Sequence, residues 1–320
     1  MTPKSTATLS LLLAMTLLAG ADKPPAEKSA FRFESIDERS LKLFDGDRPV
    51  LVYNHGEISN EKAPKARPRG AYVHPIYGMD SEVLSDDFPA DHVNHRGLYW
   101  AWPHVKVGEA EHDSWNVRDL RTRFGKWTAK DTHADRAVLG VENGWFVGEK
   151  QVVRESVLLE AHRANGDSRA VDVTLTWTAL DEPITLRGAQ GKGYGGVSIR
   201  FGPRKTTVMT VPDGRAKEDL VVKKLPWADL SGDLSGKPDV LSGAALFAHP
   251  TNRDFPPEWM TREYGMLAAG WPGVNPQTIA KNESVTLRYR LWIHRGNPEA
   301  ADIQKAFETY RSAKLPGDAK

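Results

Sequence analysis

The sequence contains no cysteine, and this excludes disulfide bonds, thiolate metal sites and a cysteine nucleophile together. It has no excess of charge, because 43 basic residues stand against 42 acidic ones. Nothing in the charge therefore points to nucleic acid or to an anionic membrane surface as a partner. Gly-x-Ser-x-Gly elbows, His-Glu-x-x-His motifs and Walker loops are absent as well, which removes the commonest hydrolase and phosphate-binding classes.

Long apolar runs are also lacking, and the mean hydropathy is −0.49. The apolar run from Leu11 to Leu18 is too short to span a bilayer comfortably. It follows Lys4 and precedes Ala19-Gly20-Ala21, an order typical of a cleaved signal peptide over residues 1–21. We expect a flexible lead-in over residues 22–30 and an exported protein, periplasmic or secreted, with no membrane span.

Most of the remaining chain is predicted to form β-strands. From Arg169 to Leu180 and from Val285 to His294, apolar side chains alternate with polar or charged ones, which describes half-buried strands with one polar face. Such strands, separated by turns, are typical of an antiparallel sandwich or barrel. Further strands are expected over Pro49–Tyr53, Arg69–Tyr77, Gly97–Val107, Gln151–Glu160 and Val197–Phe201.

Turn signals and one helix complete the predicted architecture. Asn143-Gly144 predicts a hairpin between two β-like runs within Lys126–Gly148. The glycine-rich stretch Gly188–Gly196 precedes a strand rather than a helix, so we interpret it as a mobile loop at the rim of a cleft. Only Pro298 to Ala313 has convincing helical spacing. We therefore predict an all-β fold, a single antiparallel β-sandwich domain over residues 31–320 with one C-terminal helix.

The stretch from Asp91 to Trp115 concentrates side chains that can do chemistry. It carries four of the ten histidines, and His74 lies less than twenty residues upstream. Imidazole is the commonest metal ligand and titrates near neutrality, and a neighbouring carboxylate can orient it or share acid–base work. The stretch therefore predicts a polar site in an aromatic-walled cleft. Its histidines are His92, His95, His104 and His112.

Three interpretations of His92 and His95 stay open. They could bind a divalent metal together with His74 or His112, they could transfer protons, or they could hydrogen-bond a ligand or the turn itself. For proton transfer, Asp91 or Glu111 would orient one ring. An i, i+3 pair suits a helical turn or a tight loop but not a strand, where such residues point to opposite faces.

A second stretch, from Ala248 to Pro272, again combines polar and aromatic side chains in a proline-rich setting. Loops on a rigid β scaffold are where binding residues tend to lie. Glu263 is the candidate carboxylate across the cleft from the histidines. The polar and aromatic residues of this stretch are His249, Asn252, Arg253, Trp259, Arg262, Glu263 and Tyr264.

Three motifs carry a resemblance to a known family: HPIYGMDSEVLSDDFPADHVNHRGLYWAW, HPTNRDFPPEWMTREYG and VTLRYRLWIHRG. On these motifs the chain resembles the exported PmoA-type family, a domain of unknown function. Many members have Pro-His where this chain has Val93-Asn94, and the departure weakens a metal site on this turn. The family label suggests a methane oxygenase subunit, but that membrane subunit needs several long apolar spans, which the mature chain lacks.

The resemblance implies a carbohydrate-processing β-sandwich of the galactose-mutarotase "supersandwich" kind, with a histidine acid and a carboxylate base acting on a sugar in an open groove. We therefore expect the groove to bind a carbohydrate or another small molecule, with lyase, hydrolase and epimerase chemistry all open. A non-catalytic sugar-binding protein and a metal-dependent oxygenase are the alternatives. The expected catalytic residues are His92, His95 and Glu263, and the expected binding residues are His74, Arg96 as a hydroxyl or anion clamp, His112, Arg262, Tyr264, and Trp100, Trp102 and Trp259 as stacking walls.

Overall fold

The computed structural model of the chain describes residues 30–63, 65, 67–237 and 239–313. The predicted signal peptide lies outside these residues, as does the lead-in except for its last residue. The described residues form three antiparallel sheets and one helix, α1 (Ala300–Arg311), near the C-terminus. The prediction of an all-β sandwich-like fold with one C-terminal helix is confirmed.

Twenty-two strands lie in the described part of the chain. In chain order they are Phe31–Ser35 (β1), Ser40–Asp45 (β2), Arg48–Asn54 (β3), Tyr72–Ile76 (β4), Leu98–Ala101 (β5), His104–Val107 (β6), Ala110–His112 (β7), Arg121–Thr132 (β8), Arg136–Val147 (β9), Lys150–His162 (β10), Ser168–Ala179 (β11), Ile184–Arg187 (β12), Gly196–Arg200 (β13), Thr207–Val211 (β14), Gly214–Arg215 (β15), Val221–Lys224 (β16), Trp227–Gly232 (β17), Ser242–Ala248 (β18), Glu258–Arg262 (β19), Met266–Gly270 (β20), Gln277–Ile279 (β21) and Ser284–Arg295 (β22).

Two nine-stranded sheets enclose the main core. The first has the order β1-β2-β3-β4-β5-β13-β20-β19-β16, and the second has the order β15-β14-β17-β18-β22-β11-β10-β9-β8. A third sheet of four strands has the order β21-β12-β6-β7. One cluster of buried side chains takes residues from both large sheets, so it lies between them. Apolar burial of this extent is the main force that holds the two sheets together.

Strand β5 shows how the first sheet divides two surfaces. Leu98 and Trp100 belong to the core between the sheets, whereas Tyr99 and Ala101 belong to a smaller buried cluster. Because successive side chains of a strand point to opposite faces, this second cluster lies on the outer face of the first sheet. The outer face is therefore partly covered rather than open to solvent.

The predicted strands over residues 49–53, 151–160, 169–180, 197–201 and 285–294 correspond to β3, β10, β11, β13 and β22. The run predicted over Gly97–Val107 is divided into β5 and β6 around Trp102-Pro103, since proline has no N–H to donate to a sheet. Within Arg69–Tyr77 only Tyr72–Ile76 is a strand. Helix α1 lies within the predicted helical stretch and buries Ile303, Phe307 and Tyr310 against the second sheet.

The hairpin predicted at Asn143-Gly144 is wrong, because β9 runs straight through these residues. Asn143 is 1% exposed, and its Nδ2 donates to Glu155 Oε1 at 3.0 Å and to the Tyr53 hydroxyl at 3.1 Å. A Cβ on Gly144 would lie within 2.8 Å of the Gln151 side chain. Asn143-Gly144 is typical of turns but lies within a strand here. Asn143 makes a buried polar contact, and Gly144 allows neighbouring side chains to approach closely.

One carboxylate ties the two large sheets together. Glu155 is fully buried, and its Oε2 accepts the indole N–H groups of Trp100 at 2.8 Å, Trp145 at 2.9 Å and Trp177 at 2.8 Å. Trp100 comes from the first sheet and the other two tryptophans from the second. Burial raises the pKa of the Glu155 carboxyl, and the hydrogen bonds from Asn143 and the tryptophans offset part of that rise.

Replacing Glu155 by leucine should lower the free energy of unfolding by about 3 kcal/mol or more, because three buried indole donors would lose their acceptor. The matched control is Glu142→Leu on β9, since Glu142 is half-buried and pairs with Lys126, and it should change stability by no more than about 0.5 kcal/mol. Urea unfolding followed by tryptophan fluorescence measures both variants. A Glu155→Leu protein as stable as wild type would contradict the assigned role.

Candidate functional site

The outer face of the first sheet has a floor built from three neighbouring strands. Ser198 of β13 lies opposite Tyr99 of β5 on one side and opposite Ala268 of β20 on the other. Directly opposite residues of an antiparallel pair project to the same face, so these side chains lie together. Arg200 follows Ser198 on the same face, opposite Met266. The floor is therefore small, and its apolar side chains surround a few polar groups.

A tight turn carries His92 and His95 over this floor. The backbone N–H of His95 donates to the carbonyl of His92 at 2.8 Å. The two histidines, at i and i+3, therefore lie in a tight loop and not in a strand. The two rings stack with centroids 4.7 Å apart and an angle of 11°. The His92 ring also stacks on Tyr264 at 4.7 Å. The two polar stretches of the sequence therefore meet at His92 and Tyr264.

Further aromatic rings enclose the same place. Trp115 packs edge-on to His95 at 5.7 Å and lies 5.3 Å from Tyr99. Tyr194, from the glycine-rich loop, lies 4.6 Å from Trp115. That loop therefore borders the site, as expected of a rim. Together these aromatic side chains surround the floor and its few polar groups.

An ion pair anchors the turn to the floor. Arg200 Nη2 donates to both carboxylate oxygens of Asp91, at 2.8 and 2.9 Å, and the guanidinium lies 4.6 Å from the Tyr264 ring. His92 Nδ1 lies 3.0 Å from Asp91 Oδ2. Burial raises the pKa of Asp91, but the hydrogen bonds from His92 and Arg200 outweigh it and hold that pKa below its ordinary value. Asp91 is therefore ionised near neutral pH and orients the His92 ring.

His95 is the more deeply buried histidine of the pair, at 4% exposed. Burial, then the positive charges of His92 and Arg200, lower its pKa to about 3. Its Nδ1 has no hydrogen-bond partner among the described residues. The site thus holds a neutral imidazole with an unused ring nitrogen at neutral pH.

Six of the unpartnered buried side-chain atoms in the described part of the chain lie on this face. Buried polar groups in proteins are nearly always hydrogen-bonded, so each exception needs an explanation. Here several residues that are at most 8% exposed carry buried atoms without a partner in the described part of the chain. We name as the outer-face site the residues Arg69, His92, His95, Tyr99, Trp115, Ser198, Arg200 and Tyr264. Its unpartnered atoms are Arg69 Nε, His95 Nδ1, Tyr99 Oη, Ser198 Oγ, Arg200 Nε and Arg200 Nη1.

A cleft of about 340 Å³ adjoins the outer-face site. Asp91, Arg200 and Tyr264 line it together with Arg204 and Glu263. Glu263 is exposed, as its predicted position across the cleft requires. Its backbone N–H donates to an Asp219 carboxylate oxygen at 2.7 Å, which fixes the turn that also carries Tyr264. The candidate carboxylate therefore lies at the rim, not on the floor.

Arg96 does not act as the expected clamp, because its guanidinium is used inside the protein. It is 1% exposed, and Nη1 donates to the carbonyls of Val93 at 2.8 Å and His95 at 2.7 Å. The group lies 3.6 Å from the Phe88 ring, and Nε is 3.3 Å from an Asp87 oxygen. Arg96 therefore holds the histidine turn in shape, and the expectation of ligand contact is corrected.

The expected stacking walls are corrected as well. Trp100 is 5% exposed, and Trp102 and Trp259 are fully buried, all three in the core between the large sheets. Their indole N–H groups are satisfied internally, that of Trp102 by the Trp271 carbonyl and that of Trp259 by the Leu225 carbonyl. Buried rings cannot stack on a ligand. The rings that surround the site come from Trp115, Tyr194 and Tyr264 instead.

The remaining predicted residues lie around the site or away from it. His74 bonds Ser85 Oγ at 2.9 Å, and burial followed by the charge of Arg96 lowers its pKa to about 4. Arg262 donates to the carbonyls of Leu220 and Thr261. His112, on β7 of the small sheet, makes no ring contact with the outer-face site among the described residues.

The second polar stretch is divided between two places. Tyr264 and Glu263 reach the outer-face site and its cleft, whereas His249 packs edge-on against Tyr310 of helix α1 at 5.0 Å. Asn252 donates to the Arg288 carbonyl at 2.8 Å, on the second sheet. No group of three or more His, Asp or Glu side chains in the described residues is arranged to hold a metal ion.

Several residues of the outer-face site were missed from the sequence: Arg69, Tyr99, Ser198 and Arg200. A signal for two of them was present. Ser198 and Arg200 are the polar alternates of a short strand, and every residue of that strand is buried in the structure. A buried charge needs a partner, so an arginine in an otherwise apolar strand is a candidate functional residue.

Stability should depend on pH through these buried histidines. In the unfolded chain their pKa is about 6.5, but the folded values are about 3 for His95 and about 4 for His74, so below pH 6.5 the unfolded chain binds more protons. The free energy of unfolding should therefore fall as the pH drops from 6.5 towards 4. Removing His95 by His95→Gln should reduce that loss by on the order of 3 kcal/mol between pH 7 and pH 4.

Asp87 opposes this trend, because burial raises its pKa to about 6, but it does so in both proteins. The difference between wild type and His95→Gln in urea unfolding at pH 7 and pH 4 therefore isolates the histidine. His104→Gln, in an exposed pair with Glu111, is the control. Equal losses of stability in wild type and His95→Gln would contradict the low pKa.

No curated protein matches the sequence. A mutant of the heparan sulfate lyase HepC from Pedobacter heparinus resembles it with a TM-score of 0.36 and 8% identity, over 84% of this chain and 35% of that one. The heparinase III BT4657 gene product does so with a TM-score of 0.35 and 10% identity, over 86% and 36%. The chain thus spans about a third of the length of these structures.

The described residues include no helix that is both long and apolar enough to cross a membrane. The PmoA-type label and the mutarotase-like fold stay predictions.

A family model matches residues 40–308, most of the chain. The chain therefore belongs to the family described as "Family of unknown function (DUF6807)".

Proposed function

We propose that the protein binds a carbohydrate or a sugar derivative at the outer-face site. The observation that carries this proposal is the set of buried, unpartnered polar atoms enclosed by aromatic rings. A sugar has apolar C–H faces that pack on rings and many hydroxyl groups that hydrogen-bond, so it matches both features of the site. Tyr264 is 36% exposed, which leaves part of its ring available to a ligand.

The same residues support proton transfer to or from the bound sugar. His95 offers a neutral imidazole, and His92 beside it is oriented by Asp91. Proton transfer by a positioned side chain typically contributes about 10²–10⁴-fold to a rate. Under this proposal His95 accepts the proton, and the imidazolium that forms is stabilised by the nearby Asp91 carboxylate.

A non-catalytic sugar-binding role is the second candidate, and one observation favours it. The pKa of His95 is lowered to about 3, whereas an efficient general base has a pKa near the working pH. A binding site needs no such match. The two candidates share the ligand and differ in whether His95 changes it.

Both candidates can be tested with wild type, Tyr264→Ala and His95→Gln. Tyr264→Ala should weaken sugar binding about tenfold, because it removes a stacking ring. His95→Gln should leave affinity within about threefold but reduce turnover by about 10²-fold or more if the protein is an enzyme. Calorimetry measures binding, and NMR of the sugar measures turnover.

The controls are Tyr77→Ala and His104→Gln, which alter a tyrosine and a histidine outside the outer-face site. Unchanged turnover in His95→Gln would overturn the catalytic role of that residue. Binding without turnover in wild type would favour the binding protein. Failure of wild type to bind any sugar would overturn the proposal as a whole.

A further inference from the structure

We propose that the ligand of the outer-face site is an acidic sugar whose carboxylate is held by Arg69 and Arg200. This inference rests on the proposed function and narrows its ligand class to sugars such as uronic acids. It depends on the partners of four buried arginines and on the donor character of the atoms that lack partners.

Arg200 offers donors that nothing in the described chain accepts. It is 5% exposed, and only its Nη2 is occupied, by Asp91. Its Nε and Nη1 are buried and unpartnered. A guanidinium has no acceptor capacity, so these N–H groups can be satisfied only by an acceptor on a ligand or on water.

Arg69 also lies beside Tyr99, with its guanidinium 5.4 Å from that ring. It is 8% exposed, and its Nη2 donates at 2.7 Å to the carbonyls of Ser114 and Trp115, both of which are neutral. Its Nε is unpartnered. Burial and the charge of Arg96 lower the pKa of Arg69 to about 10, so the group stays cationic at neutral pH.

The other buried arginines each have a carboxylate partner. Arg96 lies 3.3 Å from Asp87, Arg169 lies 2.9 Å from Asp45, and Arg200 lies 2.8 Å from Asp91. Arg69 is the fourth buried arginine, and among the described residues no carboxylate lies within 4.0 Å of it. An isolated buried charge is strongly unfavourable, so Arg69 is the position where an anionic group from outside would be most stabilising.

Five of the six unpartnered atoms of the site, all except His95 Nδ1, favour an acceptor-rich group. Arg69 Nε, Arg200 Nε and Arg200 Nη1 can only donate, and the hydroxyls of Tyr99 and Ser198 can donate as well. A sugar hydroxyl brings a donor with every acceptor, whereas a carboxylate only accepts. Hydrogen bonds to an ionised acceptor are roughly twice as strong as neutral ones. The nearby Asp91 carboxylate repels an anion only weakly because it is paired with the Arg200 guanidinium.

The test compares matched sugars on the intact protein. The probes are methyl glycosides, the corresponding methyl glycosides of the uronic acids with a free carboxylate (the uronides) and the corresponding 6-sulfates, in the gluco, galacto and manno series. In the series that binds best, the uronide should bind at least about tenfold more tightly than the neutral glycoside and than the sulfate. NMR titration against each probe gives the dissociation constants.

The arginine variants then test the assignment. Arg200→Gln should bring the affinity ratio of uronide to neutral glycoside close to one, and Arg69→Gln provides the same readout if Arg200→Gln does not fold. Arg169→Gln is the matched control, because Arg169 is 6% exposed and pairs with Asp45 away from the site, and it should keep the wild-type ratio.

Each outcome has a distinct meaning. Equal binding of uronide and neutral glycoside overturns the acidic-sugar inference and leaves the proposed function standing. A preference for the sulfate overturns the carboxylate. A uronide preference that survives both Arg200→Gln and Arg69→Gln overturns the assignment of these residues. Failure of all three probe classes to bind overturns the proposed function itself.

Discussion

The buried carboxylate of Glu155 is the interaction on which the arrangement of the two large sheets depends. It accepts indole N–H groups from Trp100 on the first sheet and from Trp145 and Trp177 on the second. Since strand side chains alternate, holding Trp100 inward also holds Tyr99 outward, where it becomes part of the outer-face site. A polar contact in the core thus helps to fix which side chains β5 presents on the outer face.

Buried arginines fix the histidine turn and join it to the first sheet. Arg96 binds the carbonyls of the histidine turn, and Arg200 joins that turn to β13 through Asp91. These two arginines are paired, and the turn is therefore held in one geometry, with His92 stacked between His95 and Tyr264. Among the described residues, Arg69 has no carboxylate partner. A rigid turn and an uncompensated positive charge therefore lie close together, and a preorganised anion site requires both features.

Strands with a strong two-residue period, such as β11 and β22, were predictable because each of them has one buried and one polar face. The clusters of histidines and aromatics in the sequence predicted that His92 and Tyr264 belong to one site; the structure brings the two rings together, and their function stays a prediction. The roles of Trp100 and Trp102 were not predictable, since an apolar residue's face depends on register. Arg200 and Asp91 lie 109 residues apart, so their pairing appears only in the folded chain.

The most direct test of the outer-face site is a crystal structure of the protein with its tightest-binding sugar. We expect the sugar to lie against Tyr264 and His92, with an acidic group within hydrogen-bond distance of Arg200 and Arg69. A second cleft of about 350 Å³, lined by His162, Trp292 and residues of helix α1, offers a separate place for a ligand. A sugar bound in that cleft, with the outer-face site free, would show that the outer-face site is not the binding site.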